Sequence, residues 1–208
     1  MSTVLSLSAS PSPQSRTAAV RRHVDGLLTA AGHDVLPVDV RDLPAAPLLS
    51  GQVSDPRLAA VLDGVERADG VVVATPVFKA SYSGLLKALL DVLPEKALAG
   101  RAVLPLATGG TLAHVLMLDH ALRPVLAALG ADEMAPGRFV LGTQVPLKGG
   151  RYAPDADAES ALGLATRPFL DALARRTPVT HGPGTRPTAP ALVPGIAQDP
   201  QARTSARA

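Results

Sequence analysis

The run Val71-Val72-Val73-Ala74 is apolar at every position. A strand with one solvated face alternates apolar and polar residues. An unbroken run therefore predicts a strand buried on both faces, as in a parallel sheet covered by helices. That expectation restricts the chain to an α/β layout more firmly than any other stretch does. The strand is expected to stop at Pro76, to lead into a turn carrying Phe78 and Tyr82, and then into a helix starting near residues 81–83. Open α/β sheets bind ligands at the carboxyl ends of such strands, which makes residues 76–84 the first candidate site.

The rest of the chain alternates in the same sense. Residues 4–8 and 35–40 read as two further strands, and 103–107 and 139–141 as two more, although Pro105 is awkward in mid-sheet. Ser15 is a good N-cap for a helix with apolar positions at Ala19, Val20, Val24, Leu27 and Leu28, and Gly32 suits its end. Residues 41–54 form a proline-rich connector, after which Asp55-Pro56 opens a helix reaching residue 68. Further helices are expected over 83–93, 112–129 and 157–175. This succession predicts a flavodoxin-like α/β fold: a doubly wound, five-stranded parallel sheet in the order 2-1-3-4-5, with helices on both faces in three α/β/α layers. The switch point lies between strands one and three. The loop at 10–17 then falls beside the one at 76–84, and the turn at 108–111 sits next along the same edge. One domain is expected over residues 1–176. Residues 177–208, rich in Pro, Ala and Arg with little apolar periodicity, are expected to be a disordered tail.

Composition removes several function classes. Without cysteine there is no disulfide, thiolate nucleophile or thiolate metal site. His23, His33, His114, His120 and His181 are scattered, so no zinc pattern and no metal is expected. The formal net charge is +2, and Arg186, Arg203 and Arg207 near the C-terminus carry much of the basic excess, which is not the concentrated basic face of a nucleic-acid reader. No basic segment precedes an apolar run at the N-terminus, and the longest uncharged apolar stretch, 102–118, contains Gly109-Gly110 and His114. The expectation is a soluble, cytoplasmic protein with neither nucleic acid nor membrane as partner. A Gly-x-Ser-x-Gly elbow, a Walker A loop and the dinucleotide glycine fingerprint are all missing, against a serine hydrolase, an ATPase and a Rossmann dehydrogenase.

Each loop at the expected edge has chemistry of its own. Ser10, Ser15 and Thr17 offer hydroxyls at a helix N-terminus, and Arg16 adds a forked cation, a set suited to phosphate. The plainer account is an ordinary helix cap on a solvated turn. Phe78 and Tyr82 can flank a planar ring while backbone N–H groups at 77–79 meet its heteroatoms, and Lys79 can offset negative charge on a reduced ring. Alternatively Phe78 packs in the core and Lys79 is merely solvated. The Thr108-Gly109-Gly110-Thr111 turn allows close approach to a flat ligand edge, or is a simple tight connection. In the helix beyond, Leu112, Val115, Leu116, Leu122, Leu126 and Leu129 mark an apolar face on which Asp119 also falls. Pro124 has no N–H for the carbonyl of His120, so a kink or a π-type bulge is expected over 119–124.

Ser8-Ala9-Ser10-Pro11 with Ser15-Arg16-Thr17, the run from Ala68 to Lys87, and the run from Leu104 to His114 together resemble the NADPH-dependent FMN reductases. Within that family the likeness is to the reductases that serve alkanesulfonate and methanesulfonate monooxygenases, and it covers residues 3–175. The resemblance implies hydride transfer from NADPH to FMN, NADH remaining open, with FMNH2 passed to a partner monooxygenase. It places Ser10, Ser15, Arg16 and Thr17 at the FMN phosphate. It lines the isoalloxazine with Pro76, Val77, Phe78 and Lys79, and its other edge with Thr108, Gly109, Gly110 and Thr111. No side-chain catalyst is implied beyond an electrostatic role for Lys79, because the cofactors carry the chemistry. Asp119, His120 and Pro124 fall at the family's π-helix, an oligomer-interface feature linked to flavin release, which implies a homodimer or homotetramer. The chain departs from the family pattern at Ala9, where glycine is common, and at Ser12, where arginine is common, which takes a cation from the implied phosphate grip. Phe78 stands for a tyrosine, losing a hydroxyl and keeping the ring face. His120 stands where the family has tyrosine and resembles the methanesulfonate branch. Two other readings stay open: a quinone or azo reductase that retains FMN on the same fold, and a flavin-binding electron carrier with no NADPH site.

Overall fold

The computed structural model describes residues 1–176, so the expected tail at 177–208 lies outside the described residues. In chain order the first half contains β1 (Thr3–Ser8), α1 (Arg16–Ala30), β2 (Asp34–Asp39), α2 (Ala45–Ser50), α3 (Pro56–Arg67), β3 (Gly70–Phe78), β4 (Ser81–Tyr82) and α4 (Gly84–Asp91). The second half contains β5 (Ala102–Gly109), a π-helix (Leu118–Leu122), α5 (Arg123–Ala128), β6 (Glu133–Met134), β7 (Arg138–Leu141), β8 (Leu147–Lys148), β9 (Arg151–Tyr152) and α6 (Ala156–Arg175).

The main sheet runs β2-β1-β3-β5, all parallel, and its far edge is shared by two short strands. β6 pairs with Ala102 and Val103 of β5, and β7 with Leu106 to Gly109. With β6 and β7 taken as one edge position, this is the flavodoxin-like order expected from the sequence. The split edge also explains Pro105. The carbonyl of Val103 accepts the Ala135 N–H, and residues two apart in a strand face the same side, so the missing N–H of Pro105 faces the gap between β6 and β7. Gly137 passes through that gap with φ +77, and a Cβ there would lie 2.4 Å from the Pro105 carbonyl oxygen.

Residues 71–74 alternate between two cores. Val71 and Val73 join Leu5, Leu7, α3, α4 and the π-helix on one face, while Val72 and Ala74 join Val4, α1 and α6 on the other. Val71, Val72 and Val73 are each almost wholly buried. Burying a side chain of this size contributes roughly 1.5–3 kcal/mol, so two-sided burial makes β3 the anchor of the sheet.

Three expectations are corrected. β3 does not stop at Pro76 but continues to Phe78. Ala74 bonds toward β1 through its carbonyl, so Pro76, two residues on, faces the side where β1 has already ended and no donor is needed. The connector at 41–54 contains a 3-10 turn and α2, whose Leu48 is buried against the first core. The single helix expected over 112–129 is instead a 3-10 turn (Leu112–His114), the π-helix and a short α5. Among the described residues no helix is long and apolar enough to cross a membrane.

Candidate functional site

Three loops meet at the carboxyl edge of the sheet, and buried hydrogen bonds stitch them together. Ser83 donates its hydroxyl to the Ala9 carbonyl at 2.7 Å and receives the Leu86 N–H at 3.1 Å, which also caps α4. The Ser83 N–H donates to Thr75 Oγ1 at 3.0 Å. On the other side, Thr17 Oγ1 and Thr108 Oγ1 lie 2.6 Å apart. All four side chains are buried, where leaving one polar group without a partner costs roughly 1–3 kcal/mol. The loop before α1 is thus held between the end of β3 and the end of β5.

That loop presents hydroxyls at a helix start. Ser15 caps α1 by accepting the Ala18 N–H at 3.1 Å, and Ser10 accepts the Ser12 N–H at 3.3 Å. Each hydroxyl accepts through a lone pair, so its proton stays available to an anion. The first N–H groups of α1 have no carbonyl partner within the helix and carry the positive end of its dipole. Arg41 holds the loop from outside by donating to the Ser12 carbonyl. Arg16 donates Nε to the Val145 carbonyl at 3.2 Å, and its guanidinium lies 4.4 Å over the Tyr152 ring. Its terminal nitrogens have no hydrogen bond among the described residues.

The β3–β4 hairpin forms the second wall. Its turn residues Lys79 and Ala80 have φ of 51° and 62°, a pair of left-handed, non-glycine positions. The left-handed conformation costs a side-chain-bearing residue roughly 1–2 kcal/mol, so the hairpin holds strain at the site. Val77 pairs with Tyr82 and Phe78 with Ser81. Paired residues share a face and neighbours alternate, so Phe78 and Tyr82 point to opposite sides. Phe78 is half exposed at the edge, whereas Tyr82 packs with the first core. The expectation that the two aromatics flank one ring is therefore corrected: Phe78 alone offers a free face.

The third wall is the turn after β5. A Cβ on Gly109 would come 2.7 Å from Phe139, so this glycine serves packing against β7. Gly110 has open space where its Cβ would be, and Thr111 turns its hydroxyl to the Ala113 N–H at 3.3 Å. Beyond it, Leu112, Val115 and Leu116 are exposed rather than core-facing, and Asp119 is exposed and paired with Arg123 at 2.8 Å. The apolar stripe read from the sequence holds for Leu122 and Leu126, with Leu129 partly buried against the same core, because the π-turn rotates the preceding segment out of register. His120 on the π-helix and Pro124 in the first turn of α5 are both exposed.

A cavity of about 440 Å³ between β7 and α6, lined by Gly137, Arg138, Asp157 and Leu164 among others, shares no residue with these loops. Among the described residues, no group of three or more His, Cys, Asp or Glu is placed to hold a metal.

Comparison with known proteins places this edge in context. The family model for NADPH-dependent FMN reductase matches residues 2–145. The chain is 44% identical to an FMN reductase (NADPH) of Pseudomonas putida over 86% of its own length and 92% of the relative's. It is 40% identical to the FMN reductase (NADPH) of Escherichia coli, over 83% and 91% respectively. The chain belongs to the NADPH-dependent FMN reductase family. Among solved structures, the apo form of an NADH:FMN oxidoreductase (EMOB) superposes with a TM-score of 0.79 at 39% identity, covering 90% of this chain and 98% of that one.

Ser10, Ser15, Arg16, Pro76, Val77, Phe78, Lys79, Thr108, Gly109, Gly110 and Thr111 all fall on these three walls. Thr17 does too, but its hydroxyl turns inward to Thr108. Asp119 and His120 lie on the neighbouring π-helix and Pro124 in the first turn of α5; of the kink or π-type bulge expected from Pro124, the structure has the π-helix. Sequence reasoning missed Thr75, Val145 and Tyr152. Ser83 was legible only as the start of a helix, and nothing local showed that its hydroxyl also holds Ala9.

Proposed function

We propose that this chain uses NADPH or NADH to reduce FMN and releases the reduced flavin to a partner monooxygenase of the sulfonate-oxidising type. The observation that carries the reading is the stitching of the hydroxyl loop to both neighbouring loops, through Ser83 on one side and Thr17–Thr108 on the other. Residues suited to a phosphate and residues suited to a flat ring are held at one edge. They fit FMN: Ser10 and Ser15 keep free hydroxyl protons, Arg16 keeps free terminal nitrogens, Gly110 faces open space, and Phe78 is half exposed.

On this reading Ser10, Ser15 and Arg16 bind the phosphate together with the first N–H groups of α1, and Thr17 acts indirectly by anchoring that helix to Thr108. Pro76, Val77, Phe78 and Lys79 border the ring on one side, and the Thr108–Thr111 turn borders its other edge. Lys79 sits at the tip of the strained turn as a cation able to offset negative charge on the reduced ring. FMN, when bound, supplies the redox chemistry by accepting a hydride from the nicotinamide. No side-chain acid or nucleophile is assigned.

Release to a partner requires that the flavin can leave. The exposed Leu112, Val115 and Leu116 beside the π-helix support assembly of copies of this chain as a homodimer or homotetramer through that segment. The deciding experiment follows NAD(P)H oxidation with FMN, riboflavin and a quinone as competing acceptors. Turnover with free flavin supports the proposal. Quinone turnover through a retained flavin would replace it with a quinone-reductase reading, and no NAD(P)H oxidation would leave a flavin carrier.

A further inference from the structure

A second cavity, of about 290 Å³, lies between the hydroxyl loop, α1 and the β8–β9 hairpin, with Pro13, Gln14, Ser15, Arg22, Arg151 and Tyr152 in its lining. Two arginines from distant parts of the chain line one space. Arg22 stands two helical turns beyond Ser15 on α1, and Arg151 follows the tight Gly149-Gly150 turn of the β8–β9 hairpin, where both glycines have positive φ. The hairpin is docked onto α1 through Arg16, which stacks on Tyr152 and donates to Val145.

Neither Arg22 nor Arg151 forms an ion pair among the described residues. Arg21, Arg41, Arg123, Arg175 and Arg176 each have a carboxylate within 4.0 Å, while Arg22 and Arg151 have none among the described residues. Asp25, which Arg22 attracts only weakly, is already bonded to Arg21 and to the Ser6 hydroxyl. Two arginines that line one cavity and form no ion pair among the described residues are suited to a phosphate ester, which a planar guanidinium meets with two parallel hydrogen bonds.

We propose that this cavity takes a phosphate carried on the adenosine of a dinucleotide. Its identification rests on the FMN-reductase reading, since the cavity shares Ser15 with the loop assigned there to the FMN phosphate. Two ligands of that reaction class carry such a group beside the flavin site. NADPH has its adenosine 2′-phosphate, and FAD has the adenosine 5′-phosphate joined directly to the phosphate of its FMN half.

The test pairs binding with kinetics on the full-length chain, comparing wild type, Arg22→Ala/Arg151→Ala and Arg22→Lys/Arg151→Lys. Isothermal titration uses adenosine 2′,5′-bisphosphate, ADP and AMP as probes. The wild type binds one of the first two more tightly than AMP. The alanine pair loses about tenfold or more of that affinity, on the scale of a charge-assisted hydrogen bond, and the lysine pair retains part of it. Preference for the 2′-phosphate, with a rise in KM for NADPH but not NADH, assigns the site to the nicotinamide cofactor. Preference for ADP, with a rise in KM for FAD but not FMN, assigns it to FAD. Equal binding by wild type and alanine pair, or no binding by either, overturns the proposal, as does an equal rise in KM for every substrate. If the probes bind as expected and wild type fails to reduce FMN, the cavity stands and the reductase reading falls.

Discussion

The hydroxyls of Thr17 and Thr108 meet 2.6 Å apart in the interior and join the first turn of α1 to the end of β5. Each is the other's partner, so removing one strands its mate. Thr17→Val or Thr108→Val alone should lower stability by roughly 1–3 kcal/mol, whereas the double valine variant should lose less than the sum, because no orphan remains. Urea denaturation of the four-member cycle measures this. Additive losses would show that the two hydroxyls do not act as a pair.

Arg16 combines two tasks, docking Tyr152 and offering free nitrogens beside Ser15. Arg16→Ala should weaken FMN by about tenfold or more and riboflavin far less, since only FMN carries the phosphate. Arg16→Lys should fall between, keeping the charge but losing the planar stack. Fluorescence titration with both flavins distinguishes the tasks: equal losses would leave Arg16 with hairpin docking alone.

Ala80 occupies a left-handed position, φ 62°, that glycine adopts without a Cβ clash. Ala80→Gly should stabilise the fold by roughly 0.5–1 kcal/mol once the greater freedom of glycine in the unfolded chain is counted. A higher denaturation midpoint with unchanged flavin affinity is expected. A drop in stability would mean that the side chain of Ala80 contributes packing that outweighs its strain.

Asp25 gives the molecule a pH dependence of definite sign. Burial holds its carboxyl above the ordinary 3.8, against the opposing pull of Arg21 and the Ser6 hydroxyl. The folded state therefore takes up the proton before the unfolded chain does. The resulting penalty is present above the folded pKa, shrinks as pH falls through it, and is gone below 3.8. Relative to Asp25→Asn, wild type should gain stability between pH 7 and about pH 4. Denaturation at both pH values tests this, and the reverse trend would mean that the ion pair with Arg21 outweighs the cost of burial.

Pro124 lacks the N–H that would close an α-turn on the His120 carbonyl. Pro124→Ala should let the π-helix relax toward an α-helix, shifting Leu112, Val115 and Leu116 and changing the assembly. Light scattering on the purified protein reads the outcome, and an unchanged mass would argue against this segment as the interface.

The layers of the fold and the caps of its helices were written locally. Val71 to Ala74 carried two-sided burial in their lack of alternation, Ser15, Asp55 and Ser83 carried the helix starts, and Pro124 carried a local irregularity, a kink or a π-type bulge, because each depends on neighbours within a few residues along the chain. What the tertiary structure alone decided is how distant segments share those groups. Prolines 76 and 105 are tolerated because β1 ends early and the far edge splits, facts of pairing rather than of composition. Phe78 and Tyr82 separate because the hairpin places them on opposite faces. Thr17 turns inward and Arg16 lies over Tyr152 because β5 and the β8–β9 hairpin arrive beside α1. A hydroxyl or guanidinium has several possible partners of similar strength, and only packing of the whole chain determines which one it meets.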